Sequence, residues 1–296
     1  DSEDLNLVLQ KVAEGAQISI TGITPIEDKD NRTMSLIGVI GGSMIKSING
    51  RTQYLNATSA KTNPSPLENA LSGITQVSIS NMDEAGLPPS LVATASKSVV
   101  GSLVGSLDEG GLSKNQIGGA LKNITSKAVD SLDQIAGVSP SDITSSLKEI
   151  TSGATSALDQ IEVSGYSASD LGEMVQEISS GATQALGNIK IDGISSDNLS
   201  SMMEKVTAGA TGALGQISME GYSSSNLTTM LSKITSGATS ALGDIEMEGY
   251  SSNNLSLMVE KITAGATSAL DEIQLEGFSS DNLSSMVQEI TSGATG

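Results

Sequence analysis

Ser195 to Tyr222 reads SSDNLSSMMEKVTAGATGALGQISMEGY, and this pattern returns every 28 residues from about Gly137 onwards. Such a period is typical of a repeat array, in which each unit buries its apolar face against its neighbours. The pattern therefore indicates a scaffold, a fibre or a binding surface. One glycine of each unit marks the period, at Gly165, Gly193, Gly221, Gly249 and Gly277.

The first part of the unit predicts an amphipathic helix. Ser195 to Asn198 are residues that favour helix N-caps. The apolar residues from Leu199 onwards then fall within an arc of about 120°, at the helical 100° per residue. Gly215 follows where a left-handed C-cap favours glycine. Small residues beside the apolar stripe would let neighbouring helices approach closely, and these are Thr207, Ala208, Gly209 and Thr211.

The end of the unit predicts a short strand. Ile217 and Met219 alternate with Ser218 and Glu220, which is the period of a half-buried strand. Each unit then reads strand, turn and helix. The predicted fold class is an α/β repeat array, a solenoid of 28-residue strand-turn-helix units whose strands pair in parallel. The sister segments are Ile161–Val163, Ile189–Ile191, Ile245–Met247 and Ile273–Leu275.

A second architecture satisfies the same period, because one unit is as long as four heptads. Short coiled coils broken by layers of strands resemble the stalks of trimeric bacterial adhesins, so the alternative is a homotrimeric fibre. Gly221 and Ser224 occupy seam positions and interrupt the heptads in each unit. This interruption favours the solenoid.

The chain divides into four predicted regions. Residues 1–23 form a degenerate N-terminal repeat, residues 24–66 a β-rich insertion, residues 67–136 divergent repeats with a period near 26, and residues 137–296 the regular repeats, the last one incomplete. Within the insertion, Gly41-Gly42 and Asn49-Gly50 favour two-residue hairpin turns. They predict a three-stranded meander over Met34–Ile40, Ser43–Ile48 and Arg51–Leu55.

The insertion is basic in an acidic chain. Five basic residues against three acidic ones give it a net charge of +2, whereas the whole chain carries −19. One interpretation is a contact module that docks on an acidic repeat face of another copy through Arg32, Lys46 and Arg51. The other is a cap that covers the end of the array.

Composition excludes several classes of function. A net charge of −19 argues against a nucleic-acid partner, because phosphate backbones need a basic footprint. The chain has no Cys and no His, which removes thiol chemistry and the usual neutral-pH base. We therefore expect no enzymatic activity. No apolar run is long enough for a transmembrane helix, and the small, acidic, Ser/Thr/Gly-rich composition suits a secreted or cell-surface protein.

One predicted site follows from the predicted strands. Stacked parallel strands would bring carboxylates of successive units to a spacing at which like charges repel. A divalent cation such as calcium, or a basic protein partner, would relieve this repulsion. The chain would then be a binding module, whose melting temperature depends on calcium. The carboxylates of this predicted ladder are Asp192, Glu220, Glu248 and Glu276.

The repeats themselves predict a structural role. The leading hypothesis is a non-enzymatic extracellular or cell-surface repeat protein with copies of itself as partner, joined head-to-tail into a filament or serving as an adhesive stalk. The last unit stops part-way through its helix at Thr295-Gly296, which leaves an open end that another copy could meet. The sequence does not identify a glycan or protein partner.

Overall fold

A computed structural model describes residues 11, 15, 29–47, 66–109, 112, 114–161, 166–190, 195–217, 223–245, 251–273 and 279–295. These residues form a helical repeat array, and the described part of the chain contains no strand. In chain order the α-helices are α1 (Lys29–Ser47), α2 (Pro66–Ser80), α3 (Val92–Val104), α4 (Lys114–Asp130), α5 (Pro140–Ser156), α6 (Ala168–Ala185), α7 (Ser196–Ala213), α8 (Ser224–Leu242), α9 (Ser252–Ser268) and α10 (Ser280–Thr295).

Reciprocal capping fixes the start of each regular helix, as the N-cap prediction required. Before α7, the backbone N–H of Asn198 donates to Ser195 Oγ at 3.2 Å, and the backbone N–H of Ser195 donates to Asn198 Oδ1 at 3.0 Å. This capping box satisfies two backbone donors that the helix leaves unpaired. The same arrangement recurs once in each unit, at Ser139, Ser167, Ser195, Ser223, Ser251 and Ser279.

The predicted left-handed C-cap is wrong. Gly215 lies inside a short 3-10 helix, Leu214–Gln216, and Gly243 has a right-handed φ of −68°. Among the described glycines, positive φ values occur at Gly86 and Gly137, in turns before α3 and α5. The helix therefore tightens into a 3-10 turn, and the chain becomes extended at Ile217, whose side chain is buried.

Each helix packs most extensively on the helix two places along the chain. The helices therefore form two layers: α1, α3, α5, α7 and α9 in the first, and α2, α4, α6, α8 and α10 in the second. Within a layer the helices are parallel, because the start of α10 meets the start of α8 through Asn282 Nδ2 and Ser224 Oγ, 3.2 Å apart. Successive helices run in opposite directions, because a link such as Ile217 to Ser223 is too short to lead back along α7 and its 3-10 turn. The structural unit is therefore a pair of helices, which spans two sequence repeats.

A repeated glycine brings the helices of one layer together. A Cβ atom built on Gly209 of α7 would come closer than 3.0 Å to the backbone carbonyl oxygen of Lys148 in α5. Real Cβ atoms almost never make such contacts, so this position admits only glycine without a shift of the helices. The same clash holds for Gly153 on Lys97, Gly181 on Lys122, Gly237 on Gln176, Gly265 on Glu204 and Gly293 on Ser232.

Threonine hydroxyls complete this contact. Thr207 Oγ1 lies beside Gly265 and bonds within α7 to the carbonyl oxygens of Met203 and Glu204, both at 3.2 Å. It also reaches the carbonyl oxygen of Ile262 in α9 at 3.0 Å. The hydroxyl is thereby satisfied at a buried position where an unpaired polar group would destabilise the fold. The prediction that small residues let the helices approach is confirmed.

Aliphatic side chains fill the space between the layers. Met202 and Val206 of α7 and Met230 and Ile234 of α8 have no exposed surface. The methionines of the repeat helices are therefore core residues, suited by their flexibility to an irregular gap. None of the described helices combines the length and the apolar character needed to cross a bilayer.

The strand-turn-helix solenoid is contradicted, and the two layers give the reason. An 18-residue helix such as α7 is about 27 Å long. Since successive helices are antiparallel, successive links lie at opposite ends of the array, too far apart to pair. Of the isoleucines that begin the predicted strands, Ile161, Ile217 and Ile273 are buried in the core, whereas Ile189 and Ile245 are partly buried against it. The rest of these segments, residues 162–165, 191–194, 218–222, 246–250 and 274–278, lies outside the described part.

The homotrimeric alternative is also not the observed architecture. Its heptad seam would need Leu199, Met203 and Val206 for contacts with other chains. In the array these side chains are buried by the neighbouring helices of the same chain. The apolar stripe is therefore used within one chain.

The predicted β-meander is wrong where the structure describes it. Met34–Ile40 and Ser43–Ile45 lie in α1, which runs through Gly41-Gly42 without a turn. These glycines serve close packing, since a Cβ on Gly42 would collide with Ser106 Oγ of the segment after α3. The Asn49-Gly50 turn and the strand at Arg51–Leu55 fall outside the described residues.

We predict opposite effects for two glycine-to-alanine substitutions. Gly209→Ala should lower the free energy of unfolding by about 1–3 kcal/mol, because the methyl group overpacks the α5–α7 contact. Gly119→Ala should raise it by up to about 1 kcal/mol, because this helical glycine is exposed and nothing lies within 4 Å of the added Cβ. Urea unfolding followed by circular dichroism measures both, and equal effects would contradict the close contact.

Candidate functional site

The predicted acidic ladder lies in segments that the structure does not describe. Asp192, Glu220, Glu248 and Glu276 all fall in the links between helices. The strand pairing that would have stacked them is contradicted, because successive links lie at opposite ends of the array. Among the described residues, no three acidic, His or Cys side chains are grouped so as to hold a metal ion.

The predicted self-contact residues are only partly described. Lys46, in the last turn of α1, forms an ion pair with Glu109 of the same chain, with 2.7 Å between Nζ and Oε1. Arg32 lies in the first turns of α1, while Arg51 lies outside the described residues. These three residues are therefore not brought together as a described site.

One open cleft lies beside α6. It has a volume of about 410 Å³ and is lined by Gly118, Gly119, Tyr166, Asp170, Glu173, Met174, Gln176, Glu177 and Lys233. Burial raises the pKa of the Tyr166 hydroxyl, and the carboxylates of Asp170 and Asp108 raise it further. The phenol therefore remains neutral at physiological pH. It can make hydrogen bonds there, but it is not activated as a base.

A second candidate is the surface of α9 and α10 that points away from α7 and α8, which we call the C-face. It exposes three large apolar side chains, Leu255 (41%), Leu283 (40%) and Val287 (41%). Thr263 and Thr291 follow these residues along the two helices, and their hydroxyls donate to the carbonyl oxygens of Val259 and Val287 in their own helices. The C-face thus offers apolar side chains and satisfied hydroxyls.

The C-face has the same residue types as the buried contacts inside the array. Leu255 stands two units after Leu199, which is 5% exposed, and Leu283 stands two units after Leu227, which is 3% exposed. Thr291 is exposed, whereas its counterpart Thr235 is fully buried. The C-face is therefore shaped and composed to receive further helices of the same kind.

The segment that carries the C-face is acidic. Glu260, Asp271 and Asp281 are exposed, and residues 252–295 contain six acidic residues against one Lys. That Lys261 is paired with Glu204 of α7 at 2.7 Å, and this hydrogen bond and charge raise its pKa. Since this base is engaged within the array, a basic surface complements the rim of the C-face best.

A smaller exposed apolar surface lies on α1, and we call it the N-face. It consists of Leu36 (38% exposed), Val39 (57% exposed) and the exposed Ser43. Their spacing of three and four residues places them on one side of the helix. Gly38, Gly41 and Gly42 lie on the other side and contact α3 and its surroundings.

Comparison with known proteins adds no homologue: no family model and no curated protein matches this chain. The function must therefore be argued from the surfaces themselves.

Sequence analysis predicted an open end at the last unit, but it did not predict which residues are exposed there. The repeat motif is the same in α7 and α9, so nothing in the residues says which copies are covered. The available signal was that an apolar stripe in a repeat must be covered by the next unit. Applied to α9 and α10, this rule predicts the exposed leucines.

We predict different effects for one substitution at equivalent positions. Leu199→Ala should destabilise the chain by about 2–5 kcal/mol, because it leaves a cavity in a buried contact. Leu255→Ala, at the same position two units later, should show only a fraction of this loss, because Leu255 faces solvent. Urea unfolding at low protein concentration, where association does not contribute, measures both; equal losses would show that Leu255 is buried within the chain.

Proposed function

We propose that this is a non-enzymatic structural repeat protein that associates with copies of itself through the ends of its helical array. The single observation that carries the proposal is the C-face, where Leu255, Leu283 and Val287 remain exposed at positions that are buried elsewhere in the array. Exposed apolar patches of this kind mark association surfaces in soluble proteins.

The rest of the array supports a structural role. Glycine contacts repeat along both layers and fix the distance between neighbouring helices. Such an array is quasi-one-dimensional, because each helix contacts only its near neighbours. End-to-end association would extend it without a new type of contact, and a contact between two different surfaces propagates as a filament.

The proposal also states that the protein has no enzymatic activity and that it lies outside the cell. The acidic composition, with neither Cys nor His, supports both. An antibody against the chain should label intact cells or the culture medium, and protease added to intact cells should remove the label. Labelling that appears only after permeabilisation would contradict the proposed location.

The experiment on association uses purified wild-type chain. Its mass by multi-angle light scattering should rise with protein concentration, and rods should appear by negative-stain electron microscopy. A double variant, Leu283→Glu with Val287→Glu, should remain a monomer, because two carboxylates on the C-face would have to be buried unpaired.

The matched control is Thr229→Glu, an exposed position on α8 away from the C-face. This variant should associate like the wild type, and all three proteins should give the same helical circular dichroism spectrum. A wild-type chain that stays monomeric at all attainable concentrations would contradict the proposed function.

A further inference from the structure

We infer that the cleft beside α6 binds an arginine side chain that a partner protein presents to it. The cleft lies in the second layer, where α4, α6 and α8 all contribute to its lining, and it has a volume of about 410 Å³. This volume falls within the roughly 300–1,000 Å³ typical of ligand sites. The inference goes beyond the proposed self-association and does not depend on the C-face.

Two glycines of α4 open the cleft. A Cβ atom on Gly119 would meet nothing within 4 Å, and one on Gly118 would make only an ordinary contact with Glu177, at 3.7 Å. Helix packing therefore does not require these glycines, in contrast to Gly209, although glycine is unfavourable inside a helix. Local rules of stability are broken chiefly at functional sites, and here the missing side chains leave space for a ligand.

Two carboxylates of α6 line the cleft without a basic partner. Glu173 and Glu177 stand one turn apart, on the same side of the helix. Among the described residues neither forms an ion pair, whereas Glu149, one unit before Glu177, pairs with Lys97 at 3.1 Å. Both carboxylates can therefore accept charge-assisted hydrogen bonds from a ligand.

The charge of the lining selects a cation. Three carboxylates, of Asp170, Glu173 and Glu177, stand against the one ammonium group of Lys233, which gives the lining a net charge of −2. Asp170 already accepts the backbone N–H of Ser167 at 2.6 Å as part of the helix cap. Glu173 and Glu177 are therefore the carboxylates that a cationic ligand would contact.

Arginine suits this lining better than lysine does. A guanidinium group carries five N–H donors in a rigid, planar fork, so one group can bond to two carboxylates. It also stacks on aromatic rings, and Tyr166 supplies such a ring to the lining. Met174 offers an apolar contact to the aliphatic part of the arginine side chain.

NMR observed on a peptide ligand tests the site while the wild-type chain is kept dilute, so that self-association does not contribute. The probe is the peptide Gly-Ser-Gly-Arg-Gly-Ser-Gly, and the matched peptide carries citrulline, which has the shape of arginine without its charge. At about 0.15 M salt, where charges beyond about 8 Å are largely screened, we expect the arginine peptide to bind about tenfold more tightly. Equal binding of the two peptides, or binding of neither, would overturn the inference.

Two double variants locate the binding. Glu173→Gln with Glu177→Gln removes both carboxylates from the cleft and should weaken binding of the arginine peptide about tenfold. Glu84→Gln with Asp244→Asn removes the same charge at exposed positions outside the cleft and should change binding by less than about twofold. Equal losses in the two variants would indicate attraction to the overall negative charge alone and would also count against the inference.

Gly119→Leu tests the shape of the cleft. Because Gly119 is exposed and has open space beside it, the variant should keep the helical circular dichroism spectrum and unfold at a higher urea concentration. The same side chain fills the cleft, so the arginine peptide should bind several-fold more weakly. Undiminished binding to this variant would contradict the assigned site.

Two further ligands test the kind of partner. The peptide with lysine in place of arginine should bind several-fold more weakly, because its ammonium group lacks the planar fork. Methylguanidinium, a free cation with the head group of arginine, should also bind more weakly than the peptide. If either matches the arginine peptide, the assignment to an arginine on a partner protein is overturned. A wild-type chain that is monomeric by light scattering would contradict the proposed function and leave this inference standing.

Discussion

The whole array depends on the contact of a helical glycine with the backbone of the helix two places before it. At Gly209, Gly237 and Gly265 there is no room for a Cβ atom. Glycine in a helix interior is intrinsically unfavourable by roughly 0.5–1 kcal/mol relative to alanine, so its regular recurrence needs a compensating contact. The close approach provides one, because it brings two helix backbones and their threonine hydroxyls into dense packing.

Local features of this structure were predictable from the sequence. The serine N-caps, the helical stripe and the value of small residues at Thr207 to Thr211 all follow from rules that act within a few residues. The arrangement of the helices was not predictable in the same way. A regular period in the sequence shows that the units are alike. It does not show that each helix packs more extensively on the helix two places along the chain than on the next helix.

The errors have a common physical cause. Ile217 with Met219, and the glycine pair at Gly41-Gly42, were interpreted by their local pattern alone. In the array Ile217 anchors a link in the core, and Gly42 lets α1 approach the segment after α3. Tertiary packing overrides weak local preference in short segments. The C-face escaped prediction because burial of a repeated leucine depends on its neighbour and not on its own motif.

Because successive helices alternate between the two layers, it matters whether the number of units is even or odd. Inserting or deleting two units leaves all later helices in their original layer, with the same neighbours. A change of a single unit transfers each later helix to the opposite layer and reverses its direction. Since both layers use the same caps and glycines, the same helix contacts could still form in the opposite layer. Chains that differ in their number of units should therefore fall into two classes, even and odd, according to which layer holds the last helix.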